Sequence, residues 1–382
     1  MVRISRMVLC GILLLGLLAG CGASGTDVEV LNLTQTPLSD AQADQLRRDV
    51  LVLAEEIRGW LPEPGVTANY TLTQAQTAEL VSWFAAQGMT VIDADGSGNL
   101  ENPEPARIFG QAVQAGEDAA LTVWRIYRDG GYSRTELVCQ AGRMIQTNVR
   151  VAWDAELNPQ VTGISRRDIT QLQYTEKGSL IWRVRDLDSV QSGPDYVPYQ
   201  MLRVEPLDER CRSLCQTYIR PVGYANSNLF QTDWSVGDFG DLVWNDVFPA
   251  CYFLQTGVLL TSHTCGGYTF DAGAGLLVPE EDYIRYITAY FPVDAAALTA
   301  ASRRDPDSGC YPVRLLTSGD LTQRLPVPEV VDWRENPDGS LTLTVEALDV
   351  EQGTDCAFRH EVTVLPQTAE AWYYLGNQML AG

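Results

Sequence analysis

Near residue 120 the hydrophobic period of this chain changes from helical to strand-like, and that switch limits its fold more than any other feature. Ahead of it, Leu46, Val50, Leu53 and Ile57 recur at helical spacing over Ala41 to Leu61, with Ser39-Asp40 as a cap and Pro62 as a stop. Thr73 to Gln87 repeats the pattern through Leu80, Val81, Trp83 and Phe84. Gly88 ends that helix, Met89 to Ile92 reads as a short strand, and Pro105 to Val113 reads as a third helix. Beyond the switch, residues 121–127, Tyr132 to Cys139 and Met144 to Trp153 alternate with period two around the turns Asp129-Gly-Gly and Gln140-Ala-Gly. Ile169 to Tyr174, a turn at Glu176-Lys177-Gly178, and Leu180 to Val184 extend the series. Strands joined by tight turns run antiparallel, so helices followed by a meander predict an α+β domain over residues 41–205.

The order repeats over residues 206–382. Asp208 to Thr217 reads as a short helix, and 223–240 as irregular and rich in Asn, Asp and aromatics. Asp241 to Leu254 is apolar and helical, with Leu242, Val243, Trp244, Val247 and Phe248. Pro279-Glu-Glu-Asp opens a helix through Tyr290, with acids at the positive end of the dipole. Asp294 caps another helix to about Ser302. Glu329 to Glu335, the turn Asn336-Pro-Asp-Gly, Leu341 to Leu348 and Ala357 to Leu365 form a second antiparallel meander. The expectation is therefore two α+β domains.

The N-terminus carries an address. Arg3 and Arg6 precede an apolar run, Met7 to Leu18, which closes in Leu18-Ala19-Gly20-Cys21. A bulky aliphatic residue, two small residues and a cysteine form a lipobox, in which the Cys21 thiol takes a diacylglyceryl group and cleavage leaves it first. The run is shorter than the roughly 20 residues that span a bilayer. A plain secretory signal would end in an A-x-A-like site. Residues 1–20 thus read as a signal peptide and 21–40 as a lipidated cysteine with a flexible tether. Acyl chains contribute about 0.8 kcal/mol per buried CH2, and more than one chain makes the anchor stable. Localisation on the extracytoplasmic face of the cell membrane follows.

Apolar content is 45% of 382 residues, enough for real cores, and the formal net charge is −22. Losing Arg3 and Arg6 to processing makes it more negative still. Such a surface repels nucleic acid and anionic headgroups, leaving the lipid on Cys21 as the membrane contact. Lys177 is the only lysine. Seven cysteines follow Cys21 (139, 211, 215, 251, 265, 310 and 356), spread too widely for a dense disulfide scaffold.

The stretches RPVGYANSNLFQTDW from Arg220, VPEEDYIRYITAYFPVD, EVVDWRENPDGSLTLTVEAL and TDCAFRHEVTVLP resemble a group of uncharacterised lipoproteins from clostridia and related Firmicutes. The likeness spans most of the mature chain. It implies a Gram-positive host and brings no activity and no catalytic residues with it.

One constellation matches a metal motif. Counted from Asp93, the run Asp93, Asp95, Ser97, Gly98, Asn99, Leu100 and Glu104 fits an EF-hand loop. Oxygen donors stand at alternate positions, glycine at the sharp turn, and a bidentate carboxylate at the close. This is a candidate calcium site. The strand expected before Asp93 and Pro103 ahead of Glu104 favour instead a polar strand-to-helix turn.

The chain has two histidines, His263 and His360. His263 with Cys265, and Cys356 with His360, suggest a zinc or thiol site. On a strand, Cys356 and His360 would lie about 13 Å apart at roughly 3.3 Å per residue, too far to share an ion. Cys211 and Cys215 share a helix face without the usual metal spacing. Asp238, Asp241 and Asp246 beside Phe239 and Trp244 suggest a glycan surface or a packed helix start. No Gly-x-Ser-x-Gly elbow, P-loop or dinucleotide fingerprint occurs. The sequence thus points to a binding or interaction module of the envelope, with another envelope protein, a wall glycan or a small solute as partner. A cell-wall-active hydrolase with an unrecognised site is the alternative.

Overall fold

The structure, a computed structural model, describes residues 38–61, 71–96, 98–185, 199–225, 227–261, 264–271, 273, 275–315, 326–368 and 371–381. The expected signal peptide, Cys21 and most of the expected tether lie outside the described residues, as do Ser97 and His263.

Ser39 starts α1 (Asp40–Leu51) through a capping box: its hydroxyl accepts the Gln42 N–H at 3.3 Å, and the Gln42 side chain accepts the Ser39 N–H at 3.0 Å. The single helix expected over 41–61 breaks after Leu51. The Leu53 N–H donates to Val50 O, three residues back, which tightens the turn. A short α2 (Ala54–Ile57) and a 3-10 turn (Arg58–Trp60) follow. Val50 and Ile57 still face one core, with Leu46 and Leu53 packed against it. Thr73 and Gln76 form a second capping box ahead of α3 (Gln74–Ala86).

Then comes β1 (Val91–Asp93), α4 (Glu104–Ala115) and β2 (Ala119–Ile126), with β1 and β2 parallel. The chain continues as an antiparallel meander of β3 (Tyr132–Gln140), β4 (Arg143–Trp153), β5 (Pro159–Tyr174), β6 (Ser179–Val184) and β7 (Tyr199–Arg203). The seven strands form one sheet in chain order.

Alternation puts the two faces to different uses. Trp124, Ile126, Tyr132, Val149 and Val151 pack with α1 to α3. Leu121, Val123, Leu137 and Cys139 face the other way, into one cluster with Leu180, Trp182 and Leu202 of β6 and β7. Distant strands of one sheet can share a core only if the sheet curls over itself. α4 fills the curl with Ala106 and Phe109. Strand β5, 16 residues long, makes the bend. Its register slips opposite Arg150/Val151 and again between Ile169 and Gln171, and such bulges bend a strand.

The C-terminal region begins with α5 (Glu209–Leu214), capped by Asp208 through the Cys211 N–H at 2.9 Å. It runs into a π turn, Cys215–Ile219, in which the Arg220 N–H reaches back five residues to Cys215 O. β8 (Trp234–Ser235), α6 (Trp244–Thr256), β9 (Thr269–Asp271), β10 (Gly275–Val278), α7 (Glu280–Thr288), α8 (Ala295–Ala301) and β11 (Tyr311–Val313) follow. The last strands are β12 (Val327–Glu335), β13 (Leu341–Asp349), β14 (Thr354–Pro366) and β15 (Trp372–Leu380). They order as β12-β13-β14-β15-β8, beside a small sheet β11-β10-β9. This is the α+β class expected. One aromatic-rich core serves the C-terminal region, and each of the three clusters stays on one side of residues 205–210.

Polar contacts join the two sides. Lys177, in the β5–β6 turn, pairs with Glu346 of β13, which also pairs with Arg359 of β14; Glu346 is 2% exposed. Burial opposes that carboxylate's charge, and the two cations outweigh it, holding its pKa below the usual glutamate range. Asp355 accepts from Thr175 Oγ1 at 2.6 Å and from the Lys177 N–H at 2.9 Å.

Two changes probe this architecture. Gly110 lies inside α4, where alanine ordinarily stabilises by about 0.5–1 kcal/mol. A Cβ there would meet the Tyr174 ring at 2.6 Å, so Gly110→Ala should instead destabilise by about 1–3 kcal/mol, read as a lowered urea midpoint. Lys177→Met leaves buried Glu346 with one cation and should cost about 1–3 kcal/mol, whereas an exposed ion pair would cost under about 1.

Candidate functional site

The parallel pair β1/β2 ends beside the C-terminal region. A cavity of about 150 Å3 opens there. Its walls are the loop after β1, β2, β7, α5 with the π turn, and β12. In parallel sheets ligands bind beyond the carboxyl ends of the strands, and π turns occur often at functional sites. Both features meet here.

The local chemistry explains how the walls are held. Asp93 closes β1, is 9% exposed and accepts the Gly98 N–H at 2.6 Å, which folds the loop back. Asn99 exchanges two hydrogen bonds with Leu207, its amide donating to Leu207 O and its carbonyl accepting the Leu207 N–H, each at 3.1 Å. Arg220, at the end of the π turn, donates to Gly96 O and Asp95 O, both at 3.0 Å. The loop is therefore clamped from two directions by the segment that leads into the C-terminal region. Arg203 of β7 meets Glu329 of β12 at 3.2 Å and also donates to Ser179 Oγ at 3.2 Å and Glu205 O at 3.1 Å. Burial raises the Glu329 pKa, with Arg203 pulling against it.

A shallower, more open hollow adjoins the cavity and shares Asp93, Gln216 and Arg220 with it.

This site contains part of the EF-hand-like run, in which a strand and not a helix leads into Asp93. The carboxylate of Asp95 lies 3.9 Å from Arg128 Nε. Glu104 is the first residue of α4 and pairs with Arg107. Asp93, Asn99 and Glu104 thus each bond a different protein partner. Among the described residues no group of three or more His, Cys, Asp or Glu side chains is placed to hold a metal.

The cysteine and histidine candidates separate. Cys215 borders the cavity, but its thiol donates to Pro328 O at 3.2 Å, and burial pushes its pKa up to about 11. A protonated thiol is a poor nucleophile. Cys211 is buried on α5, which leads into the π turn. Cys265 donates to Thr261 O at 3.5 Å, and Cys356 to Phe358 O at 3.3 Å. None of the seven described cysteines is in a disulfide.

His360 is fully buried on β14. Asn377 donates its amide to Thr232 O at 2.8 Å, which turns its carbonyl toward His360 Nδ1 at 2.7 Å. Nδ1 therefore carries the proton, and Nε2 accepts from Tyr224 Oη at 2.9 Å. Phe230 stacks on the ring. This is a packed core histidine. Phe239 and Trp244 likewise pack on Trp234 and Phe291, with Trp244 2% exposed, so the aromatics beside Asp238, Asp241 and Asp246 belong to the core.

Burial lowers the His360 pKa from 6.5 to about 4. The unfolded chain therefore takes up a proton between pH 6.5 and 4 that the folded chain refuses. Folded stability contributed by this residue is intact above pH 6.5 and falls on acidification, by up to about 1.4 kcal/mol per pH unit. The stability gap between wild type and His360→Gln should narrow from pH 6.5 toward 4. The His360 imidazole resonances should stay at their neutral values through pH 5.

Sequence reasoning missed the arginines at this cavity, Arg125, Arg203, Arg212 and Arg220. Arg125 sits at an inward position of the alternating strand β2, a visible signal once Leu121 and Val123 are known to face a core.

No curated protein and no solved structure matches the chain. A family model does, over residues 43–382, and the chain belongs to that family, the family of unknown function DUF6070.

Proposed function

We propose that this protein is a lipid-anchored, extracytoplasmic binding module of a Gram-positive cell envelope, of the kind found in clostridia and related Firmicutes, and that it holds a small solute between its two α+β regions. One observation carries the binding reading: a cavity with largely apolar walls and converging charged groups lies where the regions meet. The thiols and the histidine described above are occupied in packing, which favours binding over covalent chemistry. The lipobox Leu18-Ala19-Gly20-Cys21 supports the anchor, and the acidic net charge of −22 supports lipid, not protein charge, as the membrane contact.

Two experiments test the reading. Native protein should begin at acylated Cys21 and incorporate labelled palmitate; Cys21→Ser should lose the label and leave the membrane fraction. A native N-terminus at Met1, or unchanged fractionation of the serine variant, overturns the anchor. For binding, a solute screen by thermal unfolding should find compounds that raise the midpoint of the wild type but not of Leu207→Trp, whose indole fills the cavity. Hits that stabilise both equally place binding elsewhere.

A further inference from the structure

The charge inside the junction cavity opposes that of the molecule. The chain is strongly acidic, with 49 Asp and Glu against 27 Lys and Arg, yet four arginines and only two carboxylates, Asp93 and Glu329, line this space. Each charge can be followed to its partner. Glu329 answers Arg203 at 3.2 Å, and Asp93 is drawn on by the Gly98 N–H. Among the described residues Arg212 is paired with Glu209 at 3.7 Å, itself 88% exposed. Arg220 is satisfied by two backbone carbonyls, which fix its direction without cancelling its charge.

Arg125 is the extreme case. It donates to Thr135 Oγ1 at a long 3.4 Å and lies 5.9 Å from the Trp182 ring centre. Among the described residues no carboxylate is within ion-pair distance of it. Arg125 is half-buried, the cavity reaches its side chain, and desolvation by the surrounding protein lowers its pKa from the usual arginine range. A desolvated charge without a counter-ion is costly, and a guanidinium fork matches the two oxygens of a carboxylate.

Much of the remaining wall is apolar, with Ile92, Leu202, Leu207, Val327 and Pro328, and Asn99 and Gln216 are its uncharged polar side chains. A cavity of about 150 Å3 is of the size that accepts benzene when dry and apolar. Phosphate fits poorly, because its several hydrated oxygens would face these side chains unpaired.

Resting on the reading of this cavity as the solute site, we infer that its ligand is a small organic carboxylate, with an apolar body against Leu202, Leu207 and Val327 and its carboxylate on Arg125.

Calorimetric titration of the detergent-solubilised mature protein tests this with benzoate, its neutral isostere benzamide, and inorganic phosphate. Benzoate should bind at least about tenfold more tightly than benzamide. Arg125→Met, which keeps the stem, should remove that preference, and Leu207→Trp should abolish binding. The wild-type comparison stands alone should Arg125→Met not fold. Equal binding of benzoate and benzamide, both lost in Leu207→Trp, overturns the carboxylate while the solute site survives. Phosphate binding without benzoate binding overturns it as well. No binding of any probe, or binding that Leu207→Trp leaves intact, overturns the carboxylate inference; failure of the wider solute screen overturns the site itself.

Discussion

The turn between β5 and β6 holds the molecule's two regions in one arrangement. Lys177 reaches outward from it to Glu346 on the C-terminal sheet, with which Arg359 also pairs. Gly178 faces inward, at φ +81, and its carbonyl accepts both the Val204 and the Glu205 N–H, at 2.8 and 3.1 Å. A Cβ at Gly178 would meet Glu205 Cγ at 2.1 Å, so only glycine lets the outgoing chain pass this close. That chain leaves β7, is held at Glu205 by Arg107 at 2.6 and 3.0 Å, and reaches Leu207, where Asn99 grips it. The cavity walls are therefore set by a hairpin turn that contributes no residue to them.

The same economy appears in the charges. Exposed ion pairs contribute little, but the pairs at the junction combine burial with several partners. Glu346 keeps its charge against burial because two cations face it. Glu205, more exposed, is held below the usual glutamate range because Arg107 and Tyr174 both bond it. Glu329, with Arg203 as its ion-pair partner, is shifted the other way by burial. The sole lysine of the chain is used where its flexible stem can span two regions, while arginine forks grip fixed acceptors such as Gly96 O and Asp95 O.

Much of the fold could be read from periodicity. The helices over 73–87 and 279–290, the meander of β2 to β4, and the strands around Asn336-Pro-Asp-Gly lie where spacing and turn residues put them. The first half of β5 escaped, because Gly163 and the run Arg166-Arg167-Asp168 carry no apolar alternation; pairing with β4 makes it a strand. β15 escaped for a similar reason. Gly376 and Asn377 interrupt its pattern, and Asn377 is buried because it serves His360 and Thr232. α6 starts at Trp244, three residues later than its apolar run suggests, because Asn228 takes the Asp241 carbonyl and the Val243 N–H into a loop. The cavity was beyond reach, since Asp93, Arg125, Leu207 and Glu329 are adjacent only after both regions have folded. The Asp93 to Glu104 run was visible as a motif, but its residue types serve turn chemistry equally well. An acid that folds a loop onto a glycine N–H and an asparagine that bonds a neighbouring backbone use oxygens of the kind that face a cation in an EF-hand loop.

A cavity in this place also costs the fold least. Inside any of the three cores a void of this size would forfeit close packing, at about 24 cal/mol per Å3 in well-packed interiors. Each core here is closed without the other, with Val50, Leu180 and Val345 all fully buried in their own clusters. The regions touch through hydrogen bonds and ion pairs, which tolerate a gap because each bond is local. Unfilled space therefore gathers at the junction, where Arg203 and Arg220 hold the walls while Arg125 has no carboxylate partner among the described residues.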